Sequence, residues 1–231
     1  MNPFSSPSRF FRPAALLLAL TLAATPSLHA QKAPTQKVKA KARKPGKKDQ
    51  LVTLHITQGG TSLGDIRLVT FEQTPLHREN FLQKAKSGFY SGTTFHRIIP
   101  GFMIQGGDAN SKDADPTNDG MGQPNDPTIP AELRPELHHK RGAVAAARSG
   151  GPAGTPSSYS QFYIVQNPSG TPHLDGAYTV FGQVIQGQDV VDKIAKVSRN
   201  QMDRPEQDVK MDVKVEKLSK KKITKLYGYQ Y

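Results

Sequence analysis

Short alternating apolar runs, cut every few residues by glycine or proline, constrain this chain more than any other feature of its sequence. Leu51-Val-Thr-Leu-His-Ile-Thr57 alternates and is rich in β-branched residues. Gln58-Gly59-Gly60 turns it, and Leu63 to Phe71 alternates again, so the spacing predicts a hairpin. Residues 93–106 read as two short strands about Pro100-Gly101. Gly142–Ala147, Gln161–Gln166, Tyr178–Val184 and Val209–Leu218 read as four more. Two helices are predicted. One starts at Thr74-Pro75, with Thr74 as cap, Pro75 at the first helical position and Glu79 near the positive end. Its expected buried side is Leu76, Phe81, Leu82 and Ala85, and Ser87-Gly88 stops it. The other covers Asp189–Val197. Residues 108–128, crowded with Asp, Asn, Gly and Pro, read as loop. Many short strands, two helices and no β-α-β rhythm predict an antiparallel barrel or sandwich.

The first 30 residues read as a signal peptide. Arg9 and Arg12 precede the apolar run Pro13–Ala24, which is too short for a spanning helix of about 20 residues. Cleavage after Ala30 is expected. The chain carries a net charge of +12 and a mean hydropathy of −0.56, but the charge is concentrated. Residues 32–48 hold eight Lys/Arg and no acid, whereas residues 49–231 hold 21 Lys/Arg against 19 Asp/Glu. A like-charged tract without aromatics cannot bury apolar surface. The expected organisation is therefore a signal peptide (1–30), a basic disordered linker (31–49), a folded domain (50–218) and a basic, tyrosine-containing tail (219–231). The linker reads as a solvated spacer or as an electrostatic contact to an anionic envelope surface. Basic residues beside Tyr227, Tyr229 and Tyr231 do not make a nucleic-acid site expected in an exported protein. The absence of cysteine excludes disulfides, thiolate zinc sites and cysteine nucleophiles.

The segment Phe95-His96-Arg97-Ile98-Ile99-Pro100-Gly101-Phe102-Met103-Ile104-Gln105-Gly106-Gly107-Asp108 closely resembles the cyclophilin signature. Ser160-Gln161-Phe162-Tyr163-Ile164 and Leu174-Asp175-Gly176-Ala177-Tyr178-Thr179-Val180-Phe181-Gly182 resemble two further hallmark blocks of that family, in the same order. Ile129-Pro130-Ala131-Glu132 resembles a bacterial form of a fourth. The resemblance spans roughly residues 51–217. It implies peptidyl-prolyl cis–trans isomerisation on a closed eight-stranded antiparallel β-barrel capped by two helices, with no cofactor or metal. It also implies proline-containing polypeptides as substrates and, for this bacterial exported form, a periplasmic or extracellular role in folding exported proteins. A monomer is expected.

That reaction moves no proton and makes no bond. It needs a donor at the prolyl nitrogen as its lone pair localises, an apolar pocket for the ring, and polar groups that hold the flanking backbone. Arg97, permanently charged with a rigid donor fork, suits the first need. By resemblance, Phe102, Met103, Tyr163 and Leu174 form the ring pocket and Gln105 hydrogen-bonds substrate backbone. Gln161 and the Ala147-Arg148 backbone line the adjoining groove, and Tyr178 stands at the pocket rim. Adjacent strand residues point to opposite faces, so a bend is needed for both Phe102 and Met103 to line one pocket. The alternative reading is a proline-segment binding module or chaperone without turnover.

Several departures and negatives matter. Tyr163 adds a hydroxyl where the family usually carries Phe, Tyr178 replaces a common His, and Arg148 replaces a common Asn. His96 reads as structural. Asp108, Asp113, Asp115 and Asp119 miss the spacing of a calcium loop. His138-His139 are adjacent rather than one helical turn apart, which does not make a zinc motif. His173 stands where relatives often carry a Trp that contributes to cyclosporin binding. Cyclosporin is therefore expected to inhibit this protein only weakly while turnover persists, and nanomolar inhibition in a peptide isomerisation assay would overturn that expectation.

Overall fold

The computed structural model describes residues 46–231. The signal peptide and most of the basic linker lie outside the described residues. Ten strands run in chain order as β1 (Lys48–Gln58), β2 (Thr61–Thr70), β3 (Arg97–Ile99), β4 (Met103–Gly106), β5 (Thr128–Ile129), β6 (Ala143–Ala146), β7 (Ser157–Ser158), β8 (Phe162–Val165), β9 (Val180–Gln186) and β10 (Val209–Ser219). Three helices, α1 (Pro75–Lys86), α2 (Gln188–Ala195) and α3 (Lys220–Tyr227), join them. Eight strands form one antiparallel sheet in the order β10-β1-β2-β9-β6-β8-β4-β3, and β5 and β7 pair separately.

The expected closed barrel is corrected to an open half-barrel, because no ladder joins β3 to β10. The chain ahead of β3 meets β10 through the isolated bridge Thr94–Lys210 and a bond from Phe95 N to Val209 O of 2.9 Å. At β3 itself, Ile98 N instead donates to Asp203 O (2.8 Å), so the strand turns from β10 to a neighbouring loop. The two expected capping helices are corrected to three.

The β3–β4 hairpin shows how the local sequence dictates geometry. Pro100 fixes the second position of a tight turn and Gly101, at φ 74°, takes the left-handed third. Phe102 N then closes the turn on Ile99 O at 3.0 Å. Beyond it, side chains alternate between two cores. Ile98, Ile104, Val144, Phe162 and Ile164 join the interior of the half-barrel with Leu54, Ile66 and Leu68. Met103, Ala143, Ala145, Tyr163 and Val165 join a second cluster on the other face.

Helix α1 departs from its sequence expectation in two ways. The Thr74 side chain makes no capping bond, and its hydroxyl is buried without a partner. The orphan amides are met instead by Glu132, whose carboxylate accepts from Leu76 N (3.2 Å), His77 N (3.0 Å) and His77 Nδ1 (2.8 Å). The Ile129–Glu132 block thus has a structural role, since it brings an acidic side chain from a distant loop to the helix's positive end. Leu76, expected on the buried side, is 48% exposed, while His77 is buried. Phe81 packs among Tyr90, Phe162 and Phe181 at 5.0–5.4 Å between ring centroids.

The ends of the domain also differ from expectation. Strand β1 begins at Lys48, inside the tract expected as linker up to residue 49, and residues 219–231 are not a loose tail. Ser219 caps α3 by accepting from Lys222 N (3.1 Å), and Ile223 is buried with Leu51 and Val69, while Tyr227 and Tyr229 pack against that cluster. Ile223 and Tyr227 on a basic helix, with Tyr229 just past its end, are what the charge density of this segment hides from a reading by composition.

Glu132 yields a stability test. Burial pushes its carboxyl up, but the hydrogen bonds from His77 and Leu76 outweigh burial and hold it below its ordinary value. Its contribution is therefore complete above the unfolded-state value of about 4.3 and is lost as pH falls through the lower folded-state value. Glu132→Ala is expected to cost about 2–4 kcal/mol, lowering Tm by roughly 5–15 °C at neutral pH. The deficit should shrink on acidification, as measured by thermal unfolding across pH.

Candidate active site

Register assembles the site. Across four neighbouring strands, Arg97 pairs with Gln105, Gln105 with Tyr163, and Tyr163 with Ala145. Directly paired residues share a face of the sheet, so a cation, an amide, an aromatic ring and a methyl group stand in one row. Two residues along β4, Met103 pairs with Val165 on the same face. Phe102 belongs to the turn rather than to the strand, which resolves how both it and Met103 reach one patch.

The floor of the patch is Met103, Tyr163, Ala145 and Ala147, all buried. Phe102, Leu174 and Tyr178 are partly buried around it. Phe102 stacks on His173 at 5.9 Å, Tyr178 meets Tyr163 edge-on at 6.0 Å, and the Arg148 guanidinium lies 4.3 Å over the Tyr178 ring. This makes an apolar depression with an aromatic floor and rim, of the kind that suits a pyrrolidine ring.

The polar groups lie to one side. Gln105 Nε2 donates to Gln161 Oε1 (3.1 Å), and Gln161 Nε2 donates to Gly120 O (3.0 Å). This chain orients both amides and leaves the Gln105 carbonyl oxygen to accept from another molecule. Its anchor, Gly120, sits at φ 82°, and a Cβ there would come within 3.1 Å of the His96 ring. The 108–128 loop thereby reaches the site, which its polar sequence does not reveal. Arg97 is exposed, and its guanidinium has neither a hydrogen bond nor an ion pair among the described residues. A cation left unpaired beside an apolar depression is available to a ligand.

The adjoining groove is less open than its sequence suggests. Ala147 N donates to Gln161 O (3.0 Å) and Ala147 O accepts from Ser158 N (2.7 Å), so that peptide is engaged within the domain. The neighbouring Arg148 side chain folds back, its Nη1 donating to Gly151 O at 2.9 Å. His96 is buried beneath the row with neither ring nitrogen bonded. Burial, together with Arg204 and Arg97 and against the pull of Asp108, lowers its imidazole to about 4, so the ring is neutral at pH 7.

Sequence reasoning reached ten residues: Arg97, Gln105 and Tyr163 share one row of the sheet, Gln161 bonds to Gln105, Phe102, Met103, Ala147, Leu174 and Tyr178 share one cluster with Tyr163, and Arg148 lies over Tyr178. That reasoning missed His139 and Asp175. His139 Nδ1 lies 2.7 Å from Asp175 Oδ1, and His139 Nε2 lies 3.0 Å from the Tyr163 hydroxyl. These contacts join residues 36 and 24 positions apart, so no local pattern announces them. Among the described residues, no group of three or more His, Cys, Asp or Glu side chains could hold a metal ion.

Residues 53–215 match the family model described as cyclophilin type peptidyl-prolyl cis-trans isomerase/CLD. A peptidyl-prolyl cis-trans isomerase of Arabidopsis thaliana is 40% identical over 163 residues, covering 70% of this chain and 92% of its own. The human peptidyl-prolyl cis-trans isomerase-like 1 is 38% identical over 154 residues, covering 65% of this chain and 86% of its own. A crystal structure of a cyclophilin type peptidyl-prolyl cis-trans isomerase from Cryptosporidium parvum superposes with a TM-score of 0.60 at 28% identity, covering 73% of this chain and 98% of that one. A second structure of that protein, obtained in the presence of the dipeptide Ala-Pro, gives a TM-score of 0.58 at 28% identity, covering 72% of this chain and 98% of that one.

Proposed function

Because the chain belongs to the cyclophilin-type peptidyl-prolyl cis-trans isomerase family and is such an isomerase, we propose that an X-Pro segment binds across the Arg97–Gln105–Tyr163 row, with Arg97 supplying the catalytic cation. The observation that carries this reading is the register: one unpaired guanidinium, one oriented amide and one aromatic floor stand side by side. The Ala-Pro dipeptide named with the Cryptosporidium parvum structure supports the choice of a proline-containing ligand.

The chemistry follows from amide resonance. Rotation about a peptide bond faces a barrier of about 18–20 kcal/mol because the twisted state loses conjugation. The prolyl nitrogen then becomes pyramidal and basic, and its lone pair accepts a hydrogen bond that the planar ground state does not accept. Arg97 donates that bond, so its interaction is specific to the transition state and raises turnover rather than affinity alone. Met103, Tyr163 and Phe102 hold the ring still. The Gln105 carbonyl oxygen accepts from a backbone N–H of the substrate, so the acyl side of the bond swings while the proline stays fixed.

The protein is exported and acts on exported polypeptides in this proposal. The basic start, the apolar run Pro13–Ala24 and the small residue Ala30 support export, and a periplasmic location follows if the cell has two membranes. Among the described residues, no helix is long and apolar enough to cross a membrane. The basic tract that starts at residue 32 and precedes β1 serves as a spacer with affinity for anionic surfaces.

Arg97→Ala is expected to lower kcat/KM about 10²–10³-fold while leaving Tm nearly unchanged, since the side chain is exposed and unpaired. Exchange NMR on a short X-Pro peptide, with circular dichroism of both proteins, measures this. A wild type that binds the peptide without accelerating exchange would show a recognition module instead. Deleting residues 31–45, which stops short of β1 and of the Lys47 carbonyl that accepts from Lys220 N, should weaken retention on anionic vesicles and leave peptide turnover intact. A collapse of turnover would refute the division into spacer and catalytic domain.

A further inference from the structure

A polar chain runs from Asp175 through the enclosed His139 to the hydroxyl of Tyr163, and its hydrogen bonds have no part in the mechanism above. Asp175 Oδ1 accepts from the backbone N–H of His139 (2.8 Å) and from its ring Nδ1 (2.7 Å), and Oδ2 accepts from His138 Nδ1 (2.8 Å). The carboxylate thereby sets the tautomer of His139: the proton sits on Nδ1 and Nε2 is an acceptor. The Tyr163 hydroxyl, 3.0 Å away, donates to that Nε2. The two rings lie nearly parallel, at 11°. The His139 side chain is fully enclosed and Tyr163 is 5% exposed, so neither group finds a substitute partner in water.

The protonation states agree with this arrangement. Burial lowers the His139 imidazole against the pull of Asp175, and burial raises the Tyr163 phenol. Burial pushes the Asp175 carboxyl up, but the bonds from the His139 amide, the His139 ring and the His138 ring prevail and hold it at about 2. At neutral pH the chain therefore consists of a carboxylate, a neutral imidazole and a phenol, which is the set its hydrogen bonds require.

His139 also holds the opposite wall. Its carbonyl accepts from Thr171 N (2.8 Å), at the start of the segment that carries Leu174, Asp175 and Tyr178. Tyr178 N closes that segment on Leu174 O at 3.2 Å. One residue is thus joined to the floor of the depression through its ring, and to the wall through its backbone and its carboxylate partner. We infer that His139, oriented by Asp175, is a positioning residue for isomerisation: it locks the Tyr163 floor and the Leu174–Tyr178 wall of the proline pocket in one relative placement. The inference rests on the isomerase reading and adds to it a specific cause of pocket rigidity.

The physical signature is coupling. Removing one partner of a buried hydrogen bond strands the other, whereas replacing both with apolar groups of similar shape is nearly neutral. The full-length chain and its variants His139→Leu, Tyr163→Phe and the double substitution would be compared by peptide exchange kinetics and thermal unfolding. His139→Leu is expected to raise KM about tenfold with kcat changed much less, and Tyr163→Phe about two- to threefold. The double variant should recover to within about threefold of the wild type. A lowered Tm with KM unmoved in the variants, or losses that simply multiply in the double variant, would overturn the proposal and leave His139 a structural residue. Should His139→Leu fail to fold, Tyr163→Phe and the double variant carry the comparison. Nitrogen-15 NMR of the histidine rings tests the chain independently of turnover. Nε2 of His139 should appear unprotonated in the wild type and shift in Tyr163→Phe, and a proton on Nε2 would refute the inference whatever the activity. A wild type without turnover would count against the isomerase reading, and that NMR result would still decide the hydrogen bond.

Discussion

The pairing of β4 with β8 is the constraint on which the rest depends. Residues 103–106 oppose 165–162, and the two-residue period of the strands sends Ile104 and Ile164 into the half-barrel while Gln105 and Tyr163 face the other way. A slip of one residue would exchange these sets, burying a glutamine among isoleucines and exposing the interior core. The hydrophobic effect therefore fixes the register, and the register places the site. Burial of Ile104, Ile164 and Val144 stabilises the fold by roughly 1.5–3 kcal/mol each relative to exposure, and the same burial holds Arg97, Gln105 and Tyr163 in line. Stability and function are read from opposite faces of one sheet.

Two carboxylates tie loops to that frame in the same manner. Glu132 reaches across to the first turn of α1, and Asp175 reaches across to His139. Each accepts a backbone N–H and a ring Nδ1–H of a single histidine, so each secures both the backbone position and the ring orientation of its partner. Such bonds outweigh the cost of enclosing a charge only because several donors converge on one acid. The pattern explains how short strands and long connections can still hold these histidines in one orientation.

How far the sequence spoke depended on the range of the interaction. Strand positions were legible because alternation is local, and the Pro100-Gly101 turn was legible because only glycine takes its third position at no cost. The exposed face of α1 at Leu76 differs from its periodicity, and the cap differs from the local signal at Thr74 because the group that serves the helix lies in another loop. Helix α3 was hidden by lysines that outnumber its buried isoleucine. The openness of the sheet was equally invisible, since it turns on whether Ile98 N meets β10 or Asp203. At the candidate site, eight of the ten named residues lie in three ordered blocks of sequence, and Ala147 and Arg148 lie outside them. His139 could not be named, because its meaning arises only when Asp175 and Tyr163 close on it.

The contrast between the fixed floor and the unpaired cation suits the reaction proposed. A guanidinium in open water interacts weakly: two unit charges at 4 Å are worth about 1 kcal/mol at the dielectric of water and about 4 kcal/mol at an effective value near 20. Arg97 is exposed until a polypeptide covers it, so the substrate itself must complete the low-dielectric surroundings. The residues flanking the proline then matter less for the contacts they make than for the water they displace. A rigid pocket serves this division of labour, because a preformed pocket captures the proline ring without first ordering its own walls and leaves the arginine to act on the twisted state. The locked floor and the unpaired arginine are thus two halves of one requirement, preorganisation where the substrate is held still and adaptability where its charge distribution changes.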